Sequence, residues 1–317
     1  MIIEIQHETT LRYTQPVTEW LAEMRVEPVS DNDQSCQSFS LTLSQPASIN
    51  RFQDGFGNRV HHFNLRAPNM EVKALAAAVV ETHPKFSDWT ASTAAYPLDP
   101  DTLPIHTLDY MMLHGPVRRT PLLEPVLKAL QPVDGVRVLD VVLAVSTHIF
   151  KNFEYAKAVT NASSPIDDVL SRGQGVCQDF AHLMIGILRS FGIPTRYVSG
   201  YIHRENQESQ SHAWCESWVP DLGWVGSDPT NNMPVSEAHV KVAFGRDYTD
   251  VPPNKGIYRG VGEETIFARV ETRQLERLPT LSWQEQLPPL HVPLTMVLSH
   301  LQRDPDNNEE VQQQQQQ

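Results

Sequence analysis

Residues 180–191 constrain this chain more than any other stretch. Phe180, Leu183, Met184, Ile187, Leu188 and Phe191 recur at steps of three and four, the spacing of one helical face. Gly192 and Pro194 then stop the helix, because glycine leaves the right-handed region easily and proline cannot continue it. Just upstream, Arg172-Gly173-Gln174-Gly175 forms a glycine-rich approach that delivers Cys177 to the first helical turn. Downstream the period changes to two. Residues 195–202, 212–219 and 224–228 read as strands, with a turn around Pro220-Asp221-Leu222-Gly223. A cysteine-bearing helix feeding a sheet of hairpins predicts an α+β core.

The rest of the chain divides by the same signals. Residues 1–83 read as an N-terminal antiparallel β-sandwich. MIIEIQHETTLRY alternates up to Gln15-Pro16, and Phe39, Leu41 and Leu43 share one strand face. The segment Asp54-Gly55-Phe56-Gly57-Asn58 is a turn with two glycines able to take positive φ. Residues 84–130 are a proline-rich connector with short helices at most, since each proline removes a donor and fixes φ. The core is placed at 131–250, and a helical pattern through Leu139, Val142, Leu143, Ile149 and Phe150 opens it. Residues 251–300 are expected to be a C-terminal strand extension, in which 265–275 alternate. Residues 301–317, with DPDNNEEVQQQQQQ, are expected to be a disordered polar tail.

Charge and composition exclude several functions. Asp+Glu 38 against Lys+Arg 25 gives a net charge of −13, so a polyanion is repelled and no nucleic-acid partner is expected. No apolar run approaches the ~18–20 residues of a membrane span, so no membrane partner is expected. The N-terminus lacks the basic region and apolar stretch of a signal peptide, and three cysteines are too few and too odd for a disulfide framework. The expected location is cytoplasmic, and a homo-oligomer is compatible with these features. No metal or other cofactor is expected. C-x-x-C and H-E-x-x-H are absent, Cys177 and His182 diverge by ~140° around a helix, and His212 and Cys215 face opposite sides of a strand.

The chemistry centres on Cys177. A free thiol has a pKa near ~8.5, and a helix N-terminus or a neighbouring imidazolium raises its thiolate fraction. First-turn N–H groups also point where an oxyanion develops after attack on a carbonyl. His212 follows 35 residues later, at the start of the strand HAWCESWV, where alternation puts His212, Trp214, Glu216 and Trp218 on one face. If the turn pairs Trp218 with Trp224, Trp214 lies opposite Asp228 and His212 becomes its diagonal neighbour at ~7–8 Å. A carboxylate there reaches one imidazole nitrogen and leaves the other for a thiol. The order Cys177, His212, Asp228 therefore fits nucleophile, base and orienter.

These residues also carry a resemblance. GVCQDFAHLMIGILRSFGIPTRYVSGY followed by HAWCESWVPDLGWVGSDPTNN resembles the transglutaminase-like superfamily, whose papain-like core uses a Cys-His-Asp triad. QPVTEWLAEMRVEP with DGFGNRVHHFNL is similar to the N-terminal region of bacterial transglutaminase-like proteins, and GRDYTDVPPNKGIYRG to the segment after their core. The resemblance covers about residues 1–270, with Cys215 as one departure on a strand position that relatives often fill with an aliphatic residue. It implies a papain-like, transglutaminase-like core behind the sandwich, with Cys177, His212 and Asp228 as the catalytic residues. It implies thiol attack on an amide of a peptide or protein, through a thioester acyl-enzyme. Hydrolysis as a peptidase or amidase is the expected outcome. An amine-accepting transglutaminase and a non-catalytic scaffold with a vestigial triad are the alternatives.

Further site candidates rest on local chemistry. Gln174 and Gln178 are amide donors placed to serve an oxyanion. Trp214 is a candidate for the substrate groove because it shares a face with His212, and Asp247 and Tyr248, within GRDYTDVPP, are candidates to close over it. Asp179 is expected to favour the helix dipole and to point away from the thiol.

Overall fold

The computed structural model describes residues 1–83, 89, 91–157, 164–205 and 210–279, so the expected tail at 301–317 lies outside the described residues. The chain opens with one very long strand, β1 (Ile2–Met24), followed by β2 (Gln34–Leu43), β3 (Asn50–Gln53), β4 (Arg59–Leu65) and β5 (Asn69–Thr82). Pro16 does not end β1, contrary to the sequence reading. The proline sits where the pairing of β1 with β5 jumps from Arg12 to Val17, so its missing N–H falls in a gap of the ladder. On either side of that gap β1 serves two leaves. Its first half pairs with β5 and its second half with β4, in both cases antiparallel. The turn at 54–58 is the β3–β4 hairpin, with Gly57 at φ +92°. Leu11, Tyr13, Val17, Trp20 and Met24 of β1 pack with Phe63, Leu65 and Val72 to form the sandwich core.

The described residues of the connector include 3-10 turns at Pro100–Thr102, Ile105–Met111 and Gly115–Val117 and a short helix, α1 (Glu124–Leu130). The core then runs α2 (Val138–Asn152), β6 (Glu154–Tyr155), α3 (Ile166–Arg172), β7 (Gln174–Gly175) and α4 (Cys177–Ser190). Four strands follow as β8 (Thr195–Ile202), β9 (Gln210–Val219), β10 (Gly223–Asp228) and β11 (Met233–Pro234), and β12 (His239–Gly245) completes the sheet. Its order is β11-β10-β9-β8-β12, with all pairs antiparallel. Helix α4 is buried nearly all round rather than on one face, because α2 and α3 as well as the sheet pack against it. Its one buried cation is satisfied by carbonyls. Arg189 donates to the oxygens of Thr195, Met112 and Arg246 at 2.6–2.9 Å.

The last two strands, β13 (Asn254–Arg259) and β14 (Glu264–Leu275), return to the first domain. Leu275 pairs with Ile2, and Asn254 with Met24, so β14 and β13 flank opposite halves of β1. The strand expected at 265–275 is therefore present, but it completes the N-terminal sandwich instead of extending the core.

Two amide side chains join sandwich to core. Strand β12 is the sheet's edge, and Asn58 covers part of it by donating to the Phe244 carbonyl at 2.8 Å and accepting from the Phe244 N–H at 2.9 Å. Gln34 does the same at Lys241, with bonds of 2.7 and 2.8 Å. Each amide imitates one rung of a neighbouring strand, and this removes an edge open to wrong pairing. Beside them Ile3, Ile5 and Val80 of the sandwich pack on Tyr201, Val240 and Val242 of the core. Among the described residues no helix is long and apolar enough to cross a membrane.

Candidate active site

Two glycines shape the approach to Cys177. Gly173 ends α3 at φ +70°, a conformation that costs a side-chain residue strain, and its N–H bonds the Val169 carbonyl at 2.8 Å. A Cβ on Gly175 would lie 2.9 Å from Asp179, so only glycine lets the Asp179 carboxylate fold back. That carboxylate accepts the Val176 N–H at 2.8 Å and caps α4. Cys177 thus starts α4, half-exposed, at the wall of a cleft.

The pairing Trp224 with Trp218 is the one predicted, and it carries Asp228 to the position diagonal to His212. His212 Nε2 lies 2.7 Å from Asp228 Oδ2, and His212 lines the same cleft as Cys177. The carboxylate only accepts, so Nε2 carries a proton and Nδ1 is left for the thiol. Burial alone would lower the His212 pKa, but Asp228 and Cys177 outweigh it and push the imidazole up to about 10. Asp228 is fully buried, which would raise its pKa, yet its hydrogen bonds from His212, His239 and Asn231 hold it well below the usual carboxylate range.

Asn231 and His239 were not foreseen from the sequence. Asn231 Nδ2 donates to Asp228 Oδ2 at 2.6 Å, and the backbone N–H groups of Thr230 and Asn231 donate to Oδ1 at 2.9 and 3.2 Å. His239 Nε2 lies 3.3 Å from the same Oδ2. The signal for Asn231 was in DPTNN, where an aspartate followed by small polar residues favours a turn closing on its own carboxylate. His239 comes from the strand HVKVAFG, whose alternation marks it as a sheet element.

The ligand atoms of His212, Asp228 and His239 fall within 4.8 Å of one another, so a metal was tested against them. Zinc bonds of ~2.0–2.1 Å in a tetrahedron separate ligand atoms by about 3.3 Å. The 2.7 Å contact of His212 with Asp228 is too short for that and fits a hydrogen bond. The donors already present saturate the carboxylate.

The other candidates fall in different places. Gln178 and Tyr248 line the Cys177 cleft, together with Tyr155, Tyr197, Asn254 and Ile266. Gln174 is turned out to Glu154, with its Nε2 2.8 Å from Oε2, because the short β6–β7 ladder aligns the two residues. Trp214 is fully buried and lines a different cavity from the Cys177 cleft, so it is not a groove residue there; its ring is 6.2 Å from that of His212 and 5.3 Å from that of His239. The alternation placing Trp214 on His212's face holds. Cys215, on the opposite face, bonds the Ala181 carbonyl of α4 at 3.3 Å. Asp247 is buried and caps the next turn by accepting from the Thr249 N–H at 2.8 Å. The adjoining Tyr248 N–H donates to His182 Nε2 at 3.1 Å, and this ties the cleft wall to α4.

Residues 132–229 match the transglutaminase-like superfamily, and residues 3–81 match the bacterial transglutaminase-like N-terminal region. An uncharacterized protein of Mycobacterium leprae is 33% identical over 297 residues, covering 86% of this chain and 99% of that protein. The chain belongs to the transglutaminase-like superfamily. A Cytophaga hutchinsonii protein named as a candidate cysteine protease shares the fold of this transglutaminase-like chain. It superposes with a TM-score of 0.72 at 24% identity, over 89% of this chain and 94% of its own. A protein-glutamine gamma-glutamyltransferase of Pseudomonas aeruginosa is 31% identical over 116 residues, which cover 32% of this chain and 17% of that protein. The expected fold class, an α+β transglutaminase-like core with an N-terminal sandwich, is the one observed.

Proposed function

We propose that this chain is a cysteine-dependent acyl transferase acting on amide bonds of peptides or proteins, with water as its preferred acceptor. The observation that carries the reading is the row Cys177, His212, Asp228, in which the buried carboxylate fixes the imidazole tautomer that faces the thiol. A thiolate–imidazolium pair supplies both the nucleophile and the acid that amide cleavage needs.

The Cys177 thiolate attacks the amide carbonyl carbon, a C–S bond forms, and the carbonyl π electrons move onto oxygen. The first-turn N–H groups of α4 and the Gln178 amide are the donors for that oxyanion. The C–N bond then breaks, the departing amine takes the proton from His212 Nδ1, and a thioester remains beside a neutral imidazole. Water attacks the thioester while His212 removes its proton. The acid leaves, and the thiolate–imidazolium pair is restored. Asp228 keeps the imidazole oriented throughout and favours its charged form.

The choice of water rests on abundance. Water is present at ~55 M, and transamidation needs a cleft that excludes it while admitting an amine. Incubation with a peptide library, with and without a primary amine, followed by mass spectrometry, tests this. Hydrolysed products that depend on Cys177 and persist when amine is present support the reading. Amine-coupled products would make the chain a transglutaminase, and products unchanged by Cys177→Ala would remove the thiol from the chemistry.

A further inference from the structure

Asp228 holds two histidines, and only one of them has a role in the row just described. His239 is wholly buried, and its surroundings dictate its tautomer. The backbone N–H of Ser236 lies 3.1 Å from His239 Nδ1, and the Ser236 hydroxyl, which can turn to donate as well, lies at the same distance. An N–H can only donate, so Nδ1 is unprotonated, and the ring's one proton is on Nε2. Nε2 faces Asp228 Oδ2 at 3.3 Å, so His239 donates to the carboxylate that orients His212.

We propose that His239 is a positioning residue for the candidate catalytic row, a fixed neutral donor that turns the Asp228 carboxylate toward His212. The proposal rests on the functional reading given above. A partial rotation of the carboxylate about its Cβ–Cγ bond would carry Oδ2 off the His212 N–H and weaken that bond. Three contacts oppose that rotation at Oδ2, from His212, Asn231 and His239, and they reach it from three segments of chain.

Two features keep His239 in this role. Burial lowers its pKa, so it stays neutral where an exposed histidine would charge. A second proton could only go on Nδ1, where it would break the bond accepted from the Ser236 N–H and leave the Ser236 hydroxyl, at 3.1 Å, as its acceptor. The ring is also packed edge-on against Trp214 at 5.3 Å and lies 6.0 Å from the His212 ring. The titratable groups facing it are Asp228 and His212, with Asp33, His83, Glu216, Glu237 and Lys241 around the cavity that it helps to line. His239 enters from β12, whose outer edge Asn58 and Gln34 hold, so the same clamp that docks the sandwich fixes this histidine.

The test uses the full chain labelled with 15N-histidine. Long-range NMR correlations are expected to show His239 protonated on Nε2 and bare on Nδ1 at neutral pH. A Nδ1–H tautomer or an imidazolium there overturns the proposal. His239→Gln keeps a terminal amide donor near the Nε2 position, and His239→Leu removes it. Alkylation of Cys177 by iodoacetamide at neutral pH is expected to slow by about tenfold in His239→Leu, the scale of one lost hydrogen bond to a charged acceptor. It is expected to return to within about twofold in His239→Gln. Equal rates in all three proteins overturn the proposal. If His239→Leu does not fold, the wild-type tautomer decides. Failure of the functional reading is distinct: it appears as wild-type alkylation that His212→Ala leaves unchanged.

Discussion

His212 Nε2 stands 2.7 Å from Asp228 Oδ2, and both side chains are buried, the carboxylate completely. The imidazole therefore has one nitrogen committed to the carboxylate, on a ring that lines the cleft of Cys177. Asp228→Asn places an N–H donor among groups that already donate. The expected outcome is a fall in kcat of roughly 10³-fold or more with little change in KM, as when a triad carboxylate elsewhere becomes an amide. An unchanged kcat would assign the orienting role to another group.

The raised pKa of His212 sets an alkaline limit. Its acid form persists up to about 10 instead of the ordinary 6.5, so the proton for the departing amine stays available at alkaline pH. Cleavage of a peptide amide is expected to hold its rate through pH 8 to 9 and to fall as pH passes about 10. A descending limb near the ordinary histidine value would contradict this.

Glu216 tests stability apart from chemistry. Arg196 Nε reaches its Oε2 at 2.7 Å and Lys241 Nζ its Oε1 at 2.6 Å, all three side chains being buried. Glu216→Ala leaves Arg196 in the interior without its carboxylate and Lys241 with Asp31 alone, at 2.8 Å, and a cost of about 3 kcal/mol is expected in denaturant unfolding. The same carboxylate governs acid stability. Burial would raise its pKa, but Arg196 and Lys241 hold it near about 2 against an ordinary 4.5. Its contribution is present above pH 4.5 and is lost as pH falls toward 2. His7 and His182 start the decline earlier. Burial lowers each to about 4, so the unfolded chain binds their protons first as pH falls below 6.5. A melting temperature that stays flat from pH 7 to 3 would refute these assignments.

Asn58→Ala tests the clamp between sandwich and core. It removes two hydrogen bonds to Phe244 and leaves an N–H and a carbonyl of β12 unpaired. A loss of about 1–3 kcal/mol is expected in the unfolding midpoint. The Asp54 carboxylate presets the Asn58 side chain with a 3.1 Å bond, so Asp54→Ala should give part of the same loss. No change in either variant would mean that Gln34 and the apolar contacts of Ile3, Ile5 and Val80 dock the domains without Asn58.

The candidate row was legible because each member lies on a short-range pattern. The 3.6 period fixed α4 and its first turn, and the turn at 220–223 fixed the register that brings Asp228 beside His212. Long-range pairing was not legible. Ile2 pairs with Leu275 across almost the whole described chain, and nothing near either residue announces the other. His239 and Lys241 likewise gain their roles only when β12 folds against β8. His61 reads as one of a pair of strand histidines at the surface, yet it is buried with Nε2 2.8 Å from Glu27. Glu27 lies outside any strand pattern, so the partner that makes that burial tolerable was invisible.

The central claim is that the Cys177 sulfur becomes acylated by an amide substrate. Rapid acid quench of wild type with a cleavable peptide, followed by intact-protein and peptide-level mass spectrometry, measures that directly. The account predicts a transient acyl mass on Cys177, absent in Cys177→Ala and strongly reduced in His212→Ala. Turnover of the peptide with no acyl adduct at Cys177, and with the same rate in Cys177→Ala, would contradict it.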